Sequence, residues 1–564
     1  MQPAMPSTFE RAPGAWRAAF VLALAAICAW LYLRSHGLYP VVFADEWYYS
    51  RMARLAPLDE ALVPSYLYLW LFSASNACGA DFLDCVRIGN LVLYFAALPF
   101  FYLTARRYTP QGLAWLLTLV AAAAPLNAYT MYFMPEASYW LGFCVLSWIA
   151  LAQGHWGLTR QALASGLALG AMSLIKVHAL FLLPALCLYL LVAAWLDGAA
   201  RIVRGLAAAV LATLAMLAVK FGLGSLLAGD AGLSLLGPFY QGNVDSGSTS
   251  PRLALLGPIA VSALGHLMSL AVLLGVPLAI LLNGLAGGAL ARGTAPAGRL
   301  LAWTFLMLAA AAGMAVVYTA SLAAGDAGEG VRLHLRYYSF VFPLLWLVCA
   351  AGSAPPGAFP PGGGVRWLRW TIAALMLLLV AIATKALPAY SLSVVDGPEI
   401  AGVNVRKSAG HVTLVLQAAL LAAWAAGRGN AARLFVLCLL PVTILAAQDR
   451  IGSFASAHRA SNPGDRAAAL VLDTVPAAER GRVTLAGRAQ DLPQLMRAQF
   501  HIDHADTVAL PLQEGAPVSE KQLKPGHTWL LVMGAHPAPF ATMVRRTDEF
   551  TLLHVDPGGA ALQP

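Results

Sequence analysis

Charged side chains are scarce in this sequence: Asp, Glu, Lys and Arg make up only 11% of its 564 residues. A soluble protein of this length could not cover its surface with so few charges, and 59% of the residues are apolar. The composition therefore predicts a polytopic α-helical membrane protein, in which lipid surrounds most of the surface.

Blocks of basic residues are absent, although the formal net charge is +9. The arginines stand singly or in pairs between apolar runs, where membrane proteins carry their topology signals. A nucleic-acid partner is not expected, because no basic patch and no nucleic-acid-binding module appears. An internal repeat is also missing, which weakens the case for an inverted-repeat transporter.

Cysteine is rare, with seven residues in the chain. Five of them lie inside apolar runs, where a buried thiol behaves as a small hydrophobic group. Cys78 and Cys85 differ, because they stand in the polar stretch SNACGADFLDCVR. If this stretch faces an oxidising compartment, they could close a small disulfide loop, and two free thiols are the alternative.

Thirteen apolar runs are long enough to cross the hydrocarbon core of a bilayer, which is about 30 Å thick. They lie near residues 16–34, 86–104, 112–129, 136–152, 161–176, 178–196, 205–226, 256–283, 300–323, 337–353, 370–388, 411–426 and 433–449. The first is interpreted as an uncleaved membrane helix, because the faint cleavage-like site before Asp45 lies too far beyond it.

The basic residues predict the orientation of the chain. With the N-terminus in the cytoplasm, every cytoplasmic connection carries at least one arginine and almost no acid. The opposite connections hold many of the carboxylates: Asp45, Glu46, Asp59, Glu60, Asp81, Asp84, Glu136, Asp230, Asp245, Asp326, Glu329, Asp396 and Glu399. This segregation of carboxylates is expected if the functional site lies on the outer face. An odd number of spans places the C-terminus on the same face.

Residues 450–564 differ in composition from the transmembrane domain expected over residues 1–449. Short β-like runs such as RVTLAG and TWLLVMG alternate there with helix-like segments such as DLPQLMRAQF. The pattern predicts a small α/β domain on the outer face. It contains no phosphate-binding Gly-rich loop, so nucleotide binding is not expected. The Pro/Gly-rich segment 353–366 is interpreted as a cytoplasmic linker.

Two adjacent carboxylates, Asp45 and Glu46, open the stretch DEWYYSRMARL after the first span. Residues from about 45 to 75 are amphipathic and broken by prolines, which predicts helices lying in the membrane interface. Aromatic residues of this segment, with Trp47, Tyr48 and Tyr49 at its start, are expected at headgroup depth. A helix cap is the structural alternative to a catalytic role for Asp45.

Other ionisable residues lie at the edges of apolar runs. Glu136 stands beside a proline in the second outer loop, where an ordinary helix start is the alternative. Lys176 separates two apolar runs, and it could hold a lipid phosphate or extend to water. Arginine beside a helix N-terminus is well suited to bind phosphate, with an interfacial belt as the alternative. The segment before the span that begins near residue 337 offers Arg332, His334 and Arg336, followed by Tyr337.

Together these motifs resemble the GT-C superfamily of membrane glycosyltransferases, which use polyprenyl-phosphate sugars. The resemblance rests on ADEWYY after the first span, FMPEA opening the fourth, GLALGAMSLIK, and RYYSFVFPLL in the second half. It covers roughly residues 15–450. Bacterial relatives of protein O-mannosyltransferases and the lipid A aminoarabinose transferases are closest in style. The resemblance implies a multi-pass protein of the bacterial inner membrane that works on the periplasmic face.

The resemblance also implies roles for individual residues. Asp45 matches the catalytic carboxylate of the first outer loop, and Glu136 matches the acidic residue of the second. Lys176 and Arg336 match cations that contact the donor phosphate, and transfer in the superfamily is inverting. The expected site comprises the carboxylates Asp45, Glu46 and Glu136, the phosphate contacts Lys176, Arg336 and Arg332, and the substrate contacts Trp47, Tyr48, Tyr49, Tyr337 and His334.

The chemistry of such a transfer fits these residue types. A sugar on a lipid phosphate already carries a good leaving group, so cations suffice to stabilise the developing phosphate charge. The acceptor hydroxyl needs a carboxylate that takes its proton. No cofactor is required, although a divalent cation could bridge Asp45, Glu46 and Glu136. The expected partners are a polyprenyl-phosphate sugar of hexosyl or pentosyl type, a glycan, lipid or protein acceptor, and membrane lipids.

Two other classes of protein compete with a transferase. A flippase or other transporter of lipid-linked saccharides would carry charges along a path inside its spans, whereas most ionisable residues here lie at one face. A surface-polysaccharide ligase or polymerase would place arginines and a histidine in one very long outer loop. The longest outer loops, around 227–255 and 389–411, are modest, although residues 237–252 could cover an acceptor as a lid. The sequence therefore favours the transferase.

Overall fold

The computed structural model describes residues 14–41, 43–153, 155–198, 202–241, 252–291, 295–323, 328–352, 366–403, 405, 408–428 and 430–555. Several residues named from the sequence lie outside this part of the chain. They are Asp245, Asp326, most of the expected lid at 237–252, part of the loop at 389–411, and the expected linker except Arg366.

Helices dominate the described residues and include eight that are long and apolar enough to cross a membrane. These helices, some of them joined from shorter ones, are Gly14–Ser35, Tyr66–Arg106, Val177–Asp197, Ile202–Leu233, Leu253–Ala289, Pro296–Leu322, Arg366–Ala389 and Asn430–Ala457. The pair Gln111–Ala122 and Pro125–Met131, bent by 45°, becomes a ninth if it is counted as one span.

The expected count of thirteen spans is therefore not confirmed. Four of the runs form shorter helices: Glu136–Ala152, Leu158–Ile175, Ser339–Gly352 and Gly410–Ala425. At 1.5 Å per residue, the 17 residues of the helix Glu136–Ala152 cover only about 25 Å. Apolar composition recognised these segments, but it did not show where each helix begins and ends.

The chain from the end of the first span to residue 73 contains several short helices, the last of which, Tyr66–Ser73, begins the second span. The α-helix Phe43–Ser50 continues directly into the π-helical turn Arg51–Leu55, and Leu58–Glu60 and Tyr66–Ser73 follow. Tyr68 and Phe72 of the last helix are buried against Phe133 of the second outer loop. The segment is thus packed onto the bundle through its aromatic residues.

Cys78 and Cys85 form a disulfide in the structure. The bond joins the 3-10 helix Ala74–Asp81 to the first turn of the long helix Phe82–Arg106. Because the closed loop is short, the expected gain in the free energy of unfolding is about 2–3 kcal/mol at most.

We expect the peptides that carry Cys78 and Cys85 to resist alkylation in the native protein and to react after reduction. Cys438 is a free cysteine in the apolar helix Asn430–Ala457 and serves as the control, since its labelling in the denatured protein should not depend on reduction. Mass spectrometry of the alkylated peptides measures this difference. Labelling of Cys78 and Cys85 before reduction would show that the two thiols are free.

The C-terminal region folds around a five-stranded sheet with the order β2-β1-β3-β5-β4. The strands are β1 (Val483–Arg488), β2 (Val508–Leu512), β3 (Trp529–Met533), β4 (Thr542–Arg546) and β5 (Phe550–His554). β1 pairs in parallel with β2 and β3, whereas β5 is antiparallel to β3 and β4. The helices Pro463–Thr474 and Leu492–Ile502 pack against the sheet. The last apolar helix, Leu440–Ala457, continues past residue 450, so the α/β unit begins near Pro463.

Candidate functional site

A cavity of about 190 Å³ lies between the Phe43–Leu55 segment and the ends of several helices. Its wall combines four charged side chains with a larger aromatic and apolar surface. The lining residues are Asp45, Tyr48, Tyr49, Met52, Leu62, Val63, Met134, Glu136, Lys176, His178, Phe239, Tyr240, Tyr318, Arg336 and Tyr337.

Each charged residue of the cavity stands at or near a helix end. Asp45 is in the first turn of Phe43–Ser50, and Glu136 begins the helix Glu136–Ala152. Lys176 occupies the extended break after Leu158–Ile175, and Arg336 lies in a 3-10 turn before the helix that begins at Phe342. Polar residues placed at the ends of apolar helices therefore converge from four distant parts of the chain.

Asp45 and Arg336 form an ion pair although 291 positions separate them. The Nη1 of Arg336 donates to Oδ2 of Asp45 at 2.9 Å. The Asp45 side chain is 38% exposed, whereas that of Arg336 is 11% exposed. Asp45 is thus the accessible partner of the pair, and the arginine is held behind it.

Asp396 holds Arg336 from the side opposite Asp45, and its side chain is fully buried. It lies 3.4 Å from Nε of Arg336, and its backbone oxygen accepts from the Arg336 backbone N–H at 2.7 Å. Burial acts to raise the pKa of Asp396, but Arg336, His334 and Arg332 outweigh it, so the pKa lies below its ordinary value. The ionised carboxylate of Asp396 therefore stabilises the folded protein at pH values above the pKa of this residue in the unfolded chain. This stabilisation is lost as the pH falls through the lower pKa of Asp396 in the folded protein.

Arg332 and His334, both expected in the site, lie outside the cavity wall. Arg332 donates to Asp396 at 2.7 Å and to Glu329 at 2.9 Å. His334 is buried, hydrogen-bonds Thr319 at 2.9 Å, and burial lowers its pKa to about 3. Its ring stacks on that of Tyr337 with 5.5 Å between the centroids. Both residues therefore contact residues that hold or line the cavity wall: Arg332 pairs with Asp396, and His334 stacks on Tyr337.

Lys176 and Glu136 form a second, more deeply buried ion pair. The Nζ of Lys176 donates to Oε1 of Glu136 at 2.6 Å, and the side chains are 8% and 5% exposed. Among the described residues, Oε2 of Glu136 has no hydrogen-bond partner. A buried carboxylate oxygen normally has one. Glu136 therefore keeps hydrogen-bonding capacity that no described residue uses.

Aromatic rings surround the charged groups, and three of the expected ones, Tyr48, Tyr49 and Tyr337, line the cavity. His178 lines it as well, which the sequence analysis did not anticipate. Its ring lies face to face with that of Tyr337, with 4.6 Å between the centroids and 14° between the planes. No described residue hydrogen-bonds its Nδ1. The only signal in the sequence was its position two residues after Lys176.

Glu46 and Trp47 point away from the cavity. Glu46 is fully buried and accepts hydrogen bonds from the backbone N–H groups of Val41 and Phe133. Trp47 is buried in the apolar cluster behind the helix. Successive side chains on a helix diverge by about 100°. Glu46 thus connects the chain before this helix to the second outer loop.

A divalent cation finds no ready-made set of ligands here. No group of three or more His, Cys, Asp or Glu side chains is placed to hold a metal within the described ranges. Each carboxylate that a cation could have bridged has a protein partner: Arg336 for Asp45, backbone N–H groups for Glu46, and Lys176 for Glu136.

No family model matches the sequence, and no curated protein matches it. Among solved structures, the oligosaccharyltransferase of Archaeoglobus fulgidus in its apo form aligns with a TM-score of 0.43 and 13% identity, over 92% of this chain and 69% of that one. The same enzyme tethered to an acceptor peptide gives a TM-score of 0.46 and 12% identity over the same shares. Arabinosyltransferase EmbB from Mycobacterium smegmatis gives 0.37 and 15%, over 83% of this chain and 42% of that one.

Both neighbours are members of the GT-C superfamily, which is also the superfamily that the sequence motifs resemble. At TM-scores below 0.5, these likenesses carry no argument about activity, substrate or partner.

Proposed function

We propose that this chain is an inverting glycosyltransferase that moves a sugar from a polyprenyl-phosphate donor to an acceptor hydroxyl. One observation carries the proposal. Two carboxylates and two cations from helix ends meet in a cavity whose remaining wall is aromatic and apolar. This combination suits a ligand with a phosphate, a sugar and a hydrocarbon chain.

The leaving group is the lipid phosphate, and Arg336 with Lys176 stabilises its negative charge as the glycosidic bond breaks. Both cations are positioned before substrate arrives, by Asp396 and Glu136 respectively. Preorganised charges of this kind need little rearrangement during the reaction, which is why they lower a barrier effectively. Each cation is already paired with a carboxylate. The cavity can therefore balance the charge of a donor with one phosphate group, but not a larger negative charge.

Asp45 acts as the base toward the acceptor hydroxyl. It is the most accessible of the four charged side chains, and it is paired with Arg336. A donor phosphate competes for the same guanidinium group, so donor binding weakens the hold of Arg336 on Asp45. The carboxylate is then free to accept the proton of the attacking hydroxyl.

The sugar lies against the rings of Tyr337 and His178, where Oε2 of Glu136 and Nδ1 of His178 offer unused hydrogen-bonding capacity. Tyr48 and Tyr49, with the apolar side chains beside them, contact the first isoprene units of the donor. The acceptor is a glycan, a lipid or a protein of the cell envelope.

Mass spectrometry of envelope glycolipids and glycans from cells with and without the gene tests this function. We expect one sugar substituent to disappear from an envelope component in the deletion strain and to return on complementation. Identical glycan and glycolipid profiles in the two strains would contradict the proposal.

We also propose that the protein lies in the bacterial inner membrane with its N-terminus in the cytoplasm and its C-terminal domain in the periplasm. The distribution of arginines between apolar runs supports this orientation. Reporter fusions at Arg204 and Arg366 are expected to report cytoplasm, and a fusion at Ala460 is expected to report periplasm. A cytoplasmic signal at Ala460 would contradict a periplasmic site.

A further inference from the structure

The C-terminal domain makes a specific contact with the helical segment that carries Asp45. Arg54 donates from Nη1 and Nη2 to the two carboxylate oxygens of Asp503, each at 2.8 Å. The Arg54 side chain is only 4% exposed. A two-pronged pair of this kind fixes direction as well as distance, because the planar guanidinium and the carboxylate must be aligned.

Arg54 and Asp45 belong to one continuous helical segment. The α-helix Phe43–Ser50 runs without a break into the turn Arg51–Leu55. Nine residues separate the two side chains, which corresponds to about 13 Å along the axis. Any tilt of the segment at Arg54 therefore displaces Asp45 at the other end.

The guanidinium group of Arg54 is held by further contacts. It lies 3.3 Å from the ring centroid of Phe82, and Phe82 packs against Phe500 of the C-terminal domain with 5.3 Å between the centroids. One turn earlier, Nε of Arg51 donates to the backbone oxygen of Ala505 at 3.2 Å. The end of the segment that lies farther from the cavity is thus anchored to residues 500–505.

The chain before the segment is anchored to the same domain. The ring of Tyr39 contacts that of His501 with 5.9 Å between the centroids. The guanidinium group of Arg497 lies 5.4 Å from the Tyr39 ring centroid. The C-terminal domain therefore holds the chain on both sides of Asp45.

Asp503 has a left-handed backbone conformation, which is uncommon for residues other than glycine, asparagine and aspartate. It adopts φ 56° and ψ 47° at the end of the helix Leu492–Ile502, and no other non-glycine residue in the described ranges has positive φ. Glycine occupies such positions without strain, whereas a residue with a Cβ is strained there. Strained residues often serve a function. Here the retained carboxylate binds Arg54.

We propose that Arg54 and Asp503 are positioning residues, through which the C-terminal domain holds the carboxylate of Asp45 in its place at the cavity. This inference rests on the proposed function, because it assigns the contact a purpose in sugar transfer. A displacement of about 1 Å at a reacting group can reduce a rate by roughly a hundredfold. The pair does not touch the cavity, so its loss should affect turnover more than donor binding.

The test compares Asp503→Gly and Asp503→Asn with the unaltered full-length protein. Both residues tolerate the left-handed conformation, and glycine does so without strain. Because Arg54 is only 4% exposed and loses its charged partner, the melting temperature should fall, so kcat is measured at a temperature at which every variant remains folded. We expect kcat for sugar transfer to fall about ten- to a hundredfold with KM for the donor nearly constant. Arg54→Lys, which keeps the charge but loses the two-pronged geometry, should give an intermediate loss. Asp506→Asn is the matched control, because Asp506 pairs with Lys524 on the exposed surface.

Hydrogen–deuterium exchange of residues 43–55 provides a readout that does not depend on activity. The Asp503 variants should exchange faster in this segment than the wild type and the control. Wild-type kcat in Asp503→Gly, or unchanged exchange, would overturn the positioning role. Failure of the proposed function would be recognised separately, as the absence of transfer by the unaltered protein.

Discussion

Asp45→Asn is expected to fold and insert normally and yet to transfer essentially no sugar. Asparagine keeps the shape of the side chain, but it cannot take a proton from the acceptor hydroxyl. Arg336, which loses Asp45 as a charged partner, stays next to the buried carboxylate of Asp396, so its charge is not left uncompensated. Activity should therefore fall far more than stability.

Two further variants separate catalysis from structure. Asp59→Asn changes an exposed aspartate in the short helix Leu58–Glu60, which follows the Asp45 helix, and should transfer sugar at the wild-type rate. Glu46→Gln should retain turnover but lower the melting temperature, because its buried carboxylate accepts two backbone hydrogen bonds. Initial rates of transfer with a polyprenyl-phosphate sugar measure these differences. A wild-type rate in Asp45→Asn would show that Asp45 has no catalytic role and serves only the structure of its helix.

The second large effect is expected at the two cations, Lys176 and Arg336. Removal of one charged contact to a leaving group typically costs a few kcal/mol of transition-state stabilisation, which corresponds to roughly a hundredfold or more in rate. Lys176→Ala and Arg336→Ala should each lose at least that much. Arg336→Lys should recover part of the rate, since it restores the charge without the geometry.

The buried partner of Lys176 requires a companion variant. Lys176→Ala leaves Glu136 buried without its cation, and breaking a buried pair in this way typically costs about 3–5 kcal/mol of stability. The double variant Lys176→Ala/Glu136→Gln removes the stranded charge, so it should regain stability while remaining inactive. Lys385→Ala, at an exposed helix end, is the control. Active alanine variants at both Lys176 and Arg336 would show that the donor phosphate binds elsewhere.

Sequence reasoning identified residues that the structure brings into one cavity. Asp45, Glu136, Lys176 and Arg336 stand at the edges of apolar runs, and charged residues in such chains collect where helices leave the hydrocarbon. The ends of neighbouring helices at one surface lie close together, so residues far apart in sequence become neighbours. The catalytic and phosphate-binding roles assigned to these four residues remain predictions.

The partners behind these residues could not be read from the sequence. Asp396 is one acid among many on the expected outer face, and only packing brings its carboxylate between Arg332 and Arg336. His178 sits in an apolar run, where a core histidine is the ordinary interpretation. Its contact with Tyr337 depends on how two distant helix ends meet.

The other differences between the expected and the observed site depend on which face of the helix each side chain occupies. Asp45, Tyr48 and Tyr49 face the cavity, whereas Glu46 and Trp47 on the same helix face the bundle. A stretch with carboxylates and rings at consecutive positions does not reveal which of them point inward. Arg54 and Asp503 are 449 positions apart, and no sequence pattern around either residue predicts their contact.

The fate of the donor in proteoliposomes that contain the purified protein tests the central claim most directly. The donor would be a polyprenyl-phosphate sugar labelled in both the sugar and the phosphate, supplied together with extracted envelope acceptors. A transferase releases free polyprenyl phosphate in the same amount as sugar appears on the acceptor, and Asp45→Asn should release almost none. If the donor instead crosses the bilayer with its sugar–phosphate bond intact, the protein is a transporter and the catalytic account of the cavity is wrong.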